Sequence, residues 1–273
     1  MAYLSTVASF GFDSMPPAQM LPLWHNLGCR SSQFYRNVSH PPDLKIAKRM
    51  AMDAGVPFDS MHGIFSNQLD PSSPDQTLRQ TSVEAYRSEA EIAQILGIAK
   101  IVVHPASPNS GDTVLSHDDV ICRRTALTQS MYELADMGQA MGVVFLMENL
   151  PLNFLAGTDP AILAQMVGAV HQPTLGMCFD TGHAQISADA LAAVGDCAPV
   201  IGACHLNDND GETDQHAWPG DGTCDWDQLG KVLSALPDEV PLALELFPTP
   251  DYLMGRINAG YAQQLAQWFH IKA

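Results

Sequence analysis

The sequence predicts an α/β fold, a single (β/α)8 (TIM) barrel, from three observations. Eight short apolar runs alternate with longer segments whose apolar residues recur three and four positions apart. The length of 273 residues is close to the ~250 residues typical of such barrels. A doubly wound open sheet, the rival, normally has a Gly-rich phosphate-binding turn after its first strand, and "SFGFDSMP" has no such fingerprint. We therefore expect one domain covering residues 1–273.

The predicted strands are short runs bounded by turn residues. They cover residues 4–10, 31–36, 58–63, 100–105, 143–149, 175–182, 200–207 and 241–247. Consecutive strand–helix units predict a parallel sheet, because parallel neighbours need a crossover connection.

Helices are predicted where apolar residues keep a spacing of three and four. The two clearest are Gln76–Leu96 and Asp118–Met141. The others are Pro41–Ala54, Pro160–Val170, Ala188–Val194, Trp226–Leu236 and Tyr252–His270. Asp225 stands directly before one of them, as a capping residue would.

Polar residues occur at the C-terminal ends of the predicted strands, where barrels carry their chemistry. Six of the eight strands end in a histidine or a carboxylate: His62, His104, Glu148, Asp180, His205 and Glu245. Three further residues of the same types follow in loops: His183, Asp214 and His216. An unpaired buried carboxylate costs several kcal/mol, so this pattern needs an explanation.

Divalent metal ions explain the pattern best. All nine side chains are sound ligands for zinc or manganese. The run "HLNDNDGETDQHAWPGDG" from His205 to Gly222 also has too few cations to balance its carboxylates, and bound metal would supply that charge. A hydrogen-bonded polar network without metal is the alternative.

The formal net charge is −17, from 13 Lys+Arg against 30 Asp+Glu. A polyanion would be repelled by such a surface, which disfavours nucleic acid as a partner and favours a small substrate.

The remaining composition predicts a soluble, cytoplasmic protein without membrane association. Six cysteines are scattered without a CxxC pair, which favours free thiols in a reducing compartment. The first 15 residues lack the charged and apolar regions of a signal peptide. No apolar run approaches the ~20 residues of a membrane span.

Four segments resemble the xylose isomerase-like TIM-barrel superfamily: "LMENL", "CFDTGHA", "CHLNDNDGETDQHAWPGDGTCDW" and "LALELF". That superfamily contains endonuclease IV-type apurinic/apyrimidinic endonucleases (AP endonuclease family 2) and many sugar-phosphate isomerases and epimerases. The resemblance covers nearly the whole chain and is strongest in its second half.

The resemblance implies two ligand arrangements. In the endonuclease IV-like arrangement nine side chains hold up to three zinc ions, and Glu148 bridges two of them. The three groups are His62, His104 and Glu148; Glu148, Asp180, His205 and Glu245; and His183, Asp214 and His216. In the epimerase-like arrangement one Mn²⁺ or Co²⁺ lies on the quartet Glu148, Asp180, His205 and Glu245.

The favoured hypothesis is metal-dependent hydrolysis of a phosphate ester. Clustered metals lower the pKa of a bound water and stabilise charge on the phosphoryl group, with Glu148 positioning the water. The substrate is expected to be small rather than DNA, because the loops offer few basic or bulky residues for distorting a duplex. Arg36 and Trp218 are the candidate substrate-binding residues.

The alternative hypothesis is a sugar or sugar-phosphate isomerase or epimerase. It needs one divalent metal and two carboxylates that move a proton, which would be Glu148 and Glu245. A non-enzymatic metal-binding scaffold is the third hypothesis. The expected partner in either enzyme is a small phosphorylated or sugar substrate.

Overall fold

Eight parallel strands close into a barrel in the computed structural model, which describes residues 2–109 and 114–270. The strands are β1 (Tyr3–Phe10), β2 (Ser32–Arg36), β3 (Phe58–His62), β4 (Lys100–Val103), β5 (Val144–Glu148), β6 (Leu175–Asp180), β7 (Ile201–Leu206) and β8 (Pro241–Leu244). Each strand pairs with its neighbours in the chain, and β1 pairs with β8 to close the sheet. The predicted (β/α)8 barrel is confirmed.

Ten helices follow the strands within the described residues. They are α1 (Pro17–Leu27), α2 (Leu44–Asp53), α3 (Gln76–Leu96), α4 (His117–Met141), α5 (Pro160–Val170), α6 (Thr181–Ser187), α7 (Ala190–Cys197), α8 (Trp226–Ser234), α9 (Pro250–Asn258) and α10 (Tyr261–Trp268). Asp225 caps α8 through the backbone N–H of Gln228, as predicted.

Three helical segments differ from the sequence prediction. Helix α1 lies outside the predicted helices; Pro17 at its first position is typical of a helix start, whereas Pro22 in its interior is atypical. The predicted helix Tyr252–His270 is two helices, since Gly260 adopts a left-handed conformation (φ 85°) between them. Residues Thr181 and Gly182, predicted as strand, begin α6 because the Asp180 side chain caps the backbone N–H of His183.

The main core lies between the barrel wall and the surrounding helices, and a smaller cluster fills the barrel itself. That inner cluster consists of Val102, Leu146, Cys178 and Ala203. The interior is thus packed rather than hollow, so the chemistry is confined to the two ends of the barrel.

The cysteines are all free thiols, as predicted. Over residues 2–109 and 114–270, every helix is too short or too polar to cross a bilayer.

Candidate metal centre

The nine predicted ligands meet at the mouth formed by the C-terminal strand ends. Their ligand atoms form three groups, and within each group the atoms lie within 4.8 Å of one another. The groups are His62, His104 and Glu148; Glu148, Asp180, His205 and Glu245; and His183, Asp214 and His216. We call them the first triad, the quartet and the second triad. This grouping is the one that the resemblance implied, although metal binding itself stays a prediction.

The quartet is the most buried of the three groups. His205 Nδ1 lies 2.9 Å from Glu148 Oε1 and 3.0 Å from Glu245 Oε2. Asp180 Oδ2 lies 3.8 Å from the same nitrogen. All four residues belong to consecutive strands or their ends, and all four are buried. Three carboxylates around one imidazole form a donor set suited to a divalent cation.

Glu148 belongs to two groups because its two oxygens face different partners. Its Oε1 faces His205, whereas Oε2 lies 3.5 Å from His62 Nε2 and 3.2 Å from His104 Nε2. A carboxylate in this position could bind one cation through each oxygen.

The second triad comes from α6 and the loop after β7. Asp214 lies between the two imidazoles, with Oδ2 3.3 Å from His183 Nε2 and Oδ1 3.5 Å from His216 Nε2. His216 has a left-handed backbone (φ 45°), an uncommon conformation for a residue with a Cβ. Such backbone strain concentrates at functional sites.

Backbone carbonyls orient three of the histidines. The Nδ1–H of His62, His183 and His216 donates to the carbonyl oxygens of Gly63, Asn149 and Glu245, at 2.9, 2.8 and 3.0 Å. A carbonyl only accepts, so Nδ1 must carry the proton in each ring. The lone pair is left on Nε2, the nitrogen that faces the candidate site, as in metal sites generally.

His205 has the opposite orientation. Its Nε2 faces Gln33 Oε1 at 3.0 Å, and its Nδ1 faces the quartet. Gln33 lies on β2, is fully buried, and was not among the predicted site residues. A glutamine inside an otherwise apolar strand was the sequence signal that could have found it.

The quartet carboxylates titrate unequally. Burial alone would raise the pKa of Glu148, yet the imidazoles of His205, His104 and His62 hold it well below its ordinary value. Burial likewise opposes ionisation of Glu245, whose pKa is lowered to about 2 by His205 and His216. Burial raises the pKa of Asp180 to about 7, and the neighbouring negative charges add to that rise.

Neighbouring carboxylates also shift the pKa values of the histidines. Despite burial, Asp180 and Asp214 raise the pKa of His183 to about 10, and Asp214 and Glu245 raise that of His216 to about 9. His104 differs, because burial lowers its pKa more than Glu148 raises it. Without metal, His183 and His216 are therefore imidazolium groups paired with carboxylates, and a bound cation would replace their protons.

The residues present fit a divalent cation on two independent observations. Within the described residues, the buried Glu148 Oε2 and Glu245 Oε2 have no well-aligned hydrogen bond, although the imidazole nitrogens of His104 and His205 lie 3.2 and 3.0 Å away. Buried polar atoms rarely lack partners, so such oxygens point to a ligand. The donor set of carboxylate oxygens and imidazole nitrogens suits zinc or manganese.

Side-chain amides from neighbouring strands hold the segment that carries Asp180. The Asn149 amide donates to the Asp180 carbonyl and accepts from its N–H, both at 2.9 Å. Asn207 donates to Asp180 Oδ2 at 2.9 Å, close above Gly182. A Cβ at Gly182 would collide with the Asn207 side chain, which explains the glycine in "DTGHA".

Asp208 organises the loop that carries Asp214 and His216. Its carboxylate accepts from the backbone N–H groups of Asn209, Gly220, Gly222 and Cys224, and from the Trp226 indole. These five bonds explain why a buried aspartate outside the ligand set follows β7.

Arg36 does not offer a free cation to the substrate, contrary to expectation. Its guanidinium makes a two-pronged ion pair with Glu89 of α3, at 2.8 and 2.6 Å. It does line a cavity of about 180 Å³ at the mouth, beside His62 and Phe65.

Trp218 is also not placed for the predicted stacking on a substrate. Its side chain is buried against Trp24, Tyr252 and Tyr261, with the Arg256 guanidinium 5.1 Å from the ring. Aromatic rings that do contact the candidate ligands include Phe65, stacked on His104, and Phe247, packed against His216. Both are partly exposed.

Comparison with known proteins identifies the fold family. A family model described as xylose isomerase-like TIM barrel matches residues 4–270. An uncharacterized protein of Methanocaldococcus jannaschii is 28% identical over 191 residues, covering 68% of this chain and 63% of that protein. The match therefore spans less than two thirds of that relative's length.

Two solved structures are similar over nearly the whole chain. The IolI protein with a bound zinc atom gives a TM-score of 0.78 at 15% identity, covering 98% of this chain and 100% of that one. L-ribulose 3-epimerase gives 0.73 at 19% identity, covering 99% and 92%. Identities this low establish the fold alone. Since the family model matches almost the entire sequence, the chain belongs to the xylose isomerase-like TIM-barrel family.

Proposed function

We propose that the protein is a divalent-metal-dependent isomerase or epimerase of a small sugar, with Glu148 and Glu245 as the proton-transferring pair. The observation that carries the proposal is the buried quartet, in which both glutamates reach within 3.0 Å of the same His205 nitrogen. Among proteins of similar fold, two are named L-ribulose 3-epimerase and D-psicose 3-epimerase, and a third is named a D-tagatose 3-epimerase-like protein. These names favour the alternative hypothesis of the sequence analysis over phosphate-ester hydrolysis.

The chemistry follows from the positions of the carboxylates. A divalent cation on the quartet would polarise a substrate carbonyl and orient the neighbouring hydroxyl. The low pKa of both glutamates means that they are ionised at neutral pH and can accept a proton. For an isomerisation, one glutamate would remove the proton from the carbon beside the carbonyl and return it to the neighbouring carbon. For an epimerisation, the other glutamate would first take up a proton from solvent and deliver it to the opposite face of the same carbon, while the first releases its proton to solvent.

Hydrogen exchange at carbon tests the proposal directly. Ketopentoses and ketohexoses incubated with the Mn²⁺-, Co²⁺- or Zn²⁺-loaded protein in D₂O should gain deuterium beside the carbonyl, measured by NMR. Glu148→Gln and Glu245→Gln should each lower the rate at least ~100-fold, as expected for loss of a general base. The matched control is Glu239→Gln, an exposed glutamate beyond the other end of β8.

The two triads favour multinuclear hydrolysis as the competing outcome, since their atoms are also within ligand distance. Metal analysis separates the two functions. A single bound ion that is retained in both His62→Ala and His216→Ala supports the isomerase or epimerase. Three zinc ions lost stepwise in those variants, with turnover of phosphodiesters and no deuterium uptake, would contradict it.

A further inference from the structure

The quartet histidine is linked to the base of the barrel by a chain of buried hydrogen bonds. His205 Nε2 faces Gln33 Oε1 at 3.0 Å, and Gln33 Nε2 donates to Ser60 Oγ at 3.3 Å. Ser60 Oγ in turn donates to Asp59 Oδ1 at 2.6 Å. Gln33, Ser60 and His205 are all fully buried, so water does not compete with this chain.

The direction of the chain is fixed at its lower end. Asp59 Oδ2 already accepts from Ser5 and Ser31, and its Oδ1 accepts the single hydroxyl proton of Ser60. Desolvation raises the pKa of Asp59, while these hydroxyls and Lys100 favour the ionised form and oppose the rise. Three hydroxyl groups converge on the two carboxylate oxygens at 2.5–2.8 Å, so the hydrogen bonds run toward Asp59.

That direction determines the orientation of the Gln33 amide. Because Ser60 has given its only proton to Asp59, its oxygen must accept from the Gln33 NH₂ group. The amide oxygen is then turned to His205, where it requires a proton on Nε2. The reversed amide would take the Ser60 proton for its own oxygen and so leave the Ser60–Asp59 bond unmade.

We propose that Gln33 is a positioning residue for the metal site, and that Ser60 and Asp59 hold its side-chain amide in this orientation. The chain keeps the proton of His205 on Nε2 and turns the Nδ1 lone pair to the quartet. The other oriented rings are set by backbone carbonyls, so His205 is the ligand whose tautomer depends on a replaceable side chain. The inference rests on the metal quartet of the proposed function.

The test uses the zinc-loaded protein with ¹⁵N-labelled histidine. NMR of the wild type should show His205 bound through Nδ1 with a slowly exchanging proton on Nε2, assigned by its loss in His205→Asn. Gln33→Met keeps the side-chain length but has only a weak acceptor. It should raise the zinc dissociation constant about 10–100-fold, measured by chelator competition, and speed exchange of the Nε2 proton.

A second pair of variants covers the case in which Gln33→Met does not fold. Ser60→Ala breaks the link between Gln33 and Asp59. Ser32→Ala is the control, because it removes an equally buried hydroxyl that donates to the Val56 carbonyl and takes no part in this series of hydrogen bonds. Ser60→Ala should weaken zinc binding and alter the His205 signals, and Ser32→Ala should do neither.

Two results overturn the inference alone: a Gln33→Met protein that binds zinc as tightly as the wild type with unchanged His205 signals, or equal behaviour of the two serine variants. In both, the wild type still binds zinc through His205 and exchanges carbon-bound hydrogen. A wild type without zinc on His205 overturns the proposed function as well.

Discussion

At the scale of the residue, hydrogen bonds on the side away from the candidate site orient four of the five candidate histidine ligands. Backbone carbonyls, a glutamine and side-chain amides fix the rings and carboxylates before any cation binds. Because these contacts order the side chains in advance, binding a cation would have a smaller entropic cost than at a flexible site. The same contacts create strongly shifted protonation equilibria, which can be measured without knowing the substrate.

Stability of the metal-free protein should depend on pH through His216. Its pKa is raised from 6.5 to about 9 in the folded state, so its stabilising contribution is fully present below pH 6.5 and is lost as pH rises through 9. Denaturant unfolding with chelator should show wild type exceeding His216→Gln by about 1–3 kcal/mol at pH 6, with the difference shrinking by pH 10. His117→Gln, at the exposed start of α4, is the control. A difference that does not change with pH would contradict the prediction.

At the scale of the element, the mouth depends on close contacts between consecutive βα units. The first turn of α6 lies against the end of β7, and the junction between β6 and α6 carries both Asp180 and His183. Space for this contact exists only because residue 182 is a glycine.

Gly182→Ala should destabilise the protein by about 1–3 kcal/mol, because the new methyl group displaces Asn207. It should also weaken metal binding, since Asn207 holds Asp180. Gly195→Ala is the matched control: it lies inside α7 with no neighbour within 4 Å of the added Cβ. It should stabilise by up to about 1 kcal/mol through helix propensity. Equal effects of the two substitutions on unfolding would refute the steric explanation.

At the scale of the whole molecule, a chain of net charge −17 gathers the four carboxylates of its candidate ligand groups at one end of a barrel. The surrounding negative potential attracts cations to the mouth, and the ligands are contributed by segments distant in the sequence. A bound metal ion would therefore join elements that separate on unfolding.

Divalent cation should raise the stability of the whole chain. At a free concentration 100 times the dissociation constant, the gain expected from mass action is about 2.7 kcal/mol, seen as an increase of several degrees in Tm. Glu245→Gln should abolish most of this gain, whereas Glu239→Gln, with the same change of charge at the opposite end, should keep it. An equal gain in both variants would show that the cation acts through general charge.

The sequence by itself determined the barrel, the order of its strands and the nine candidate ligands, because strand periodicity and strand-end position are local properties. It did not reveal α1 or α6, whose helical conformation depends on packing and on the Asp180 cap.

Only the tertiary structure determined which side chains contact one another at the site. Gln33 is 172 residues from His205 in the chain, Arg36 is neutralised by Glu89, and Trp218 packs into an aromatic cluster. Hydrogen-bond direction and side-chain burial depend on contacts between distant segments, and no local pattern in the sequence encodes them.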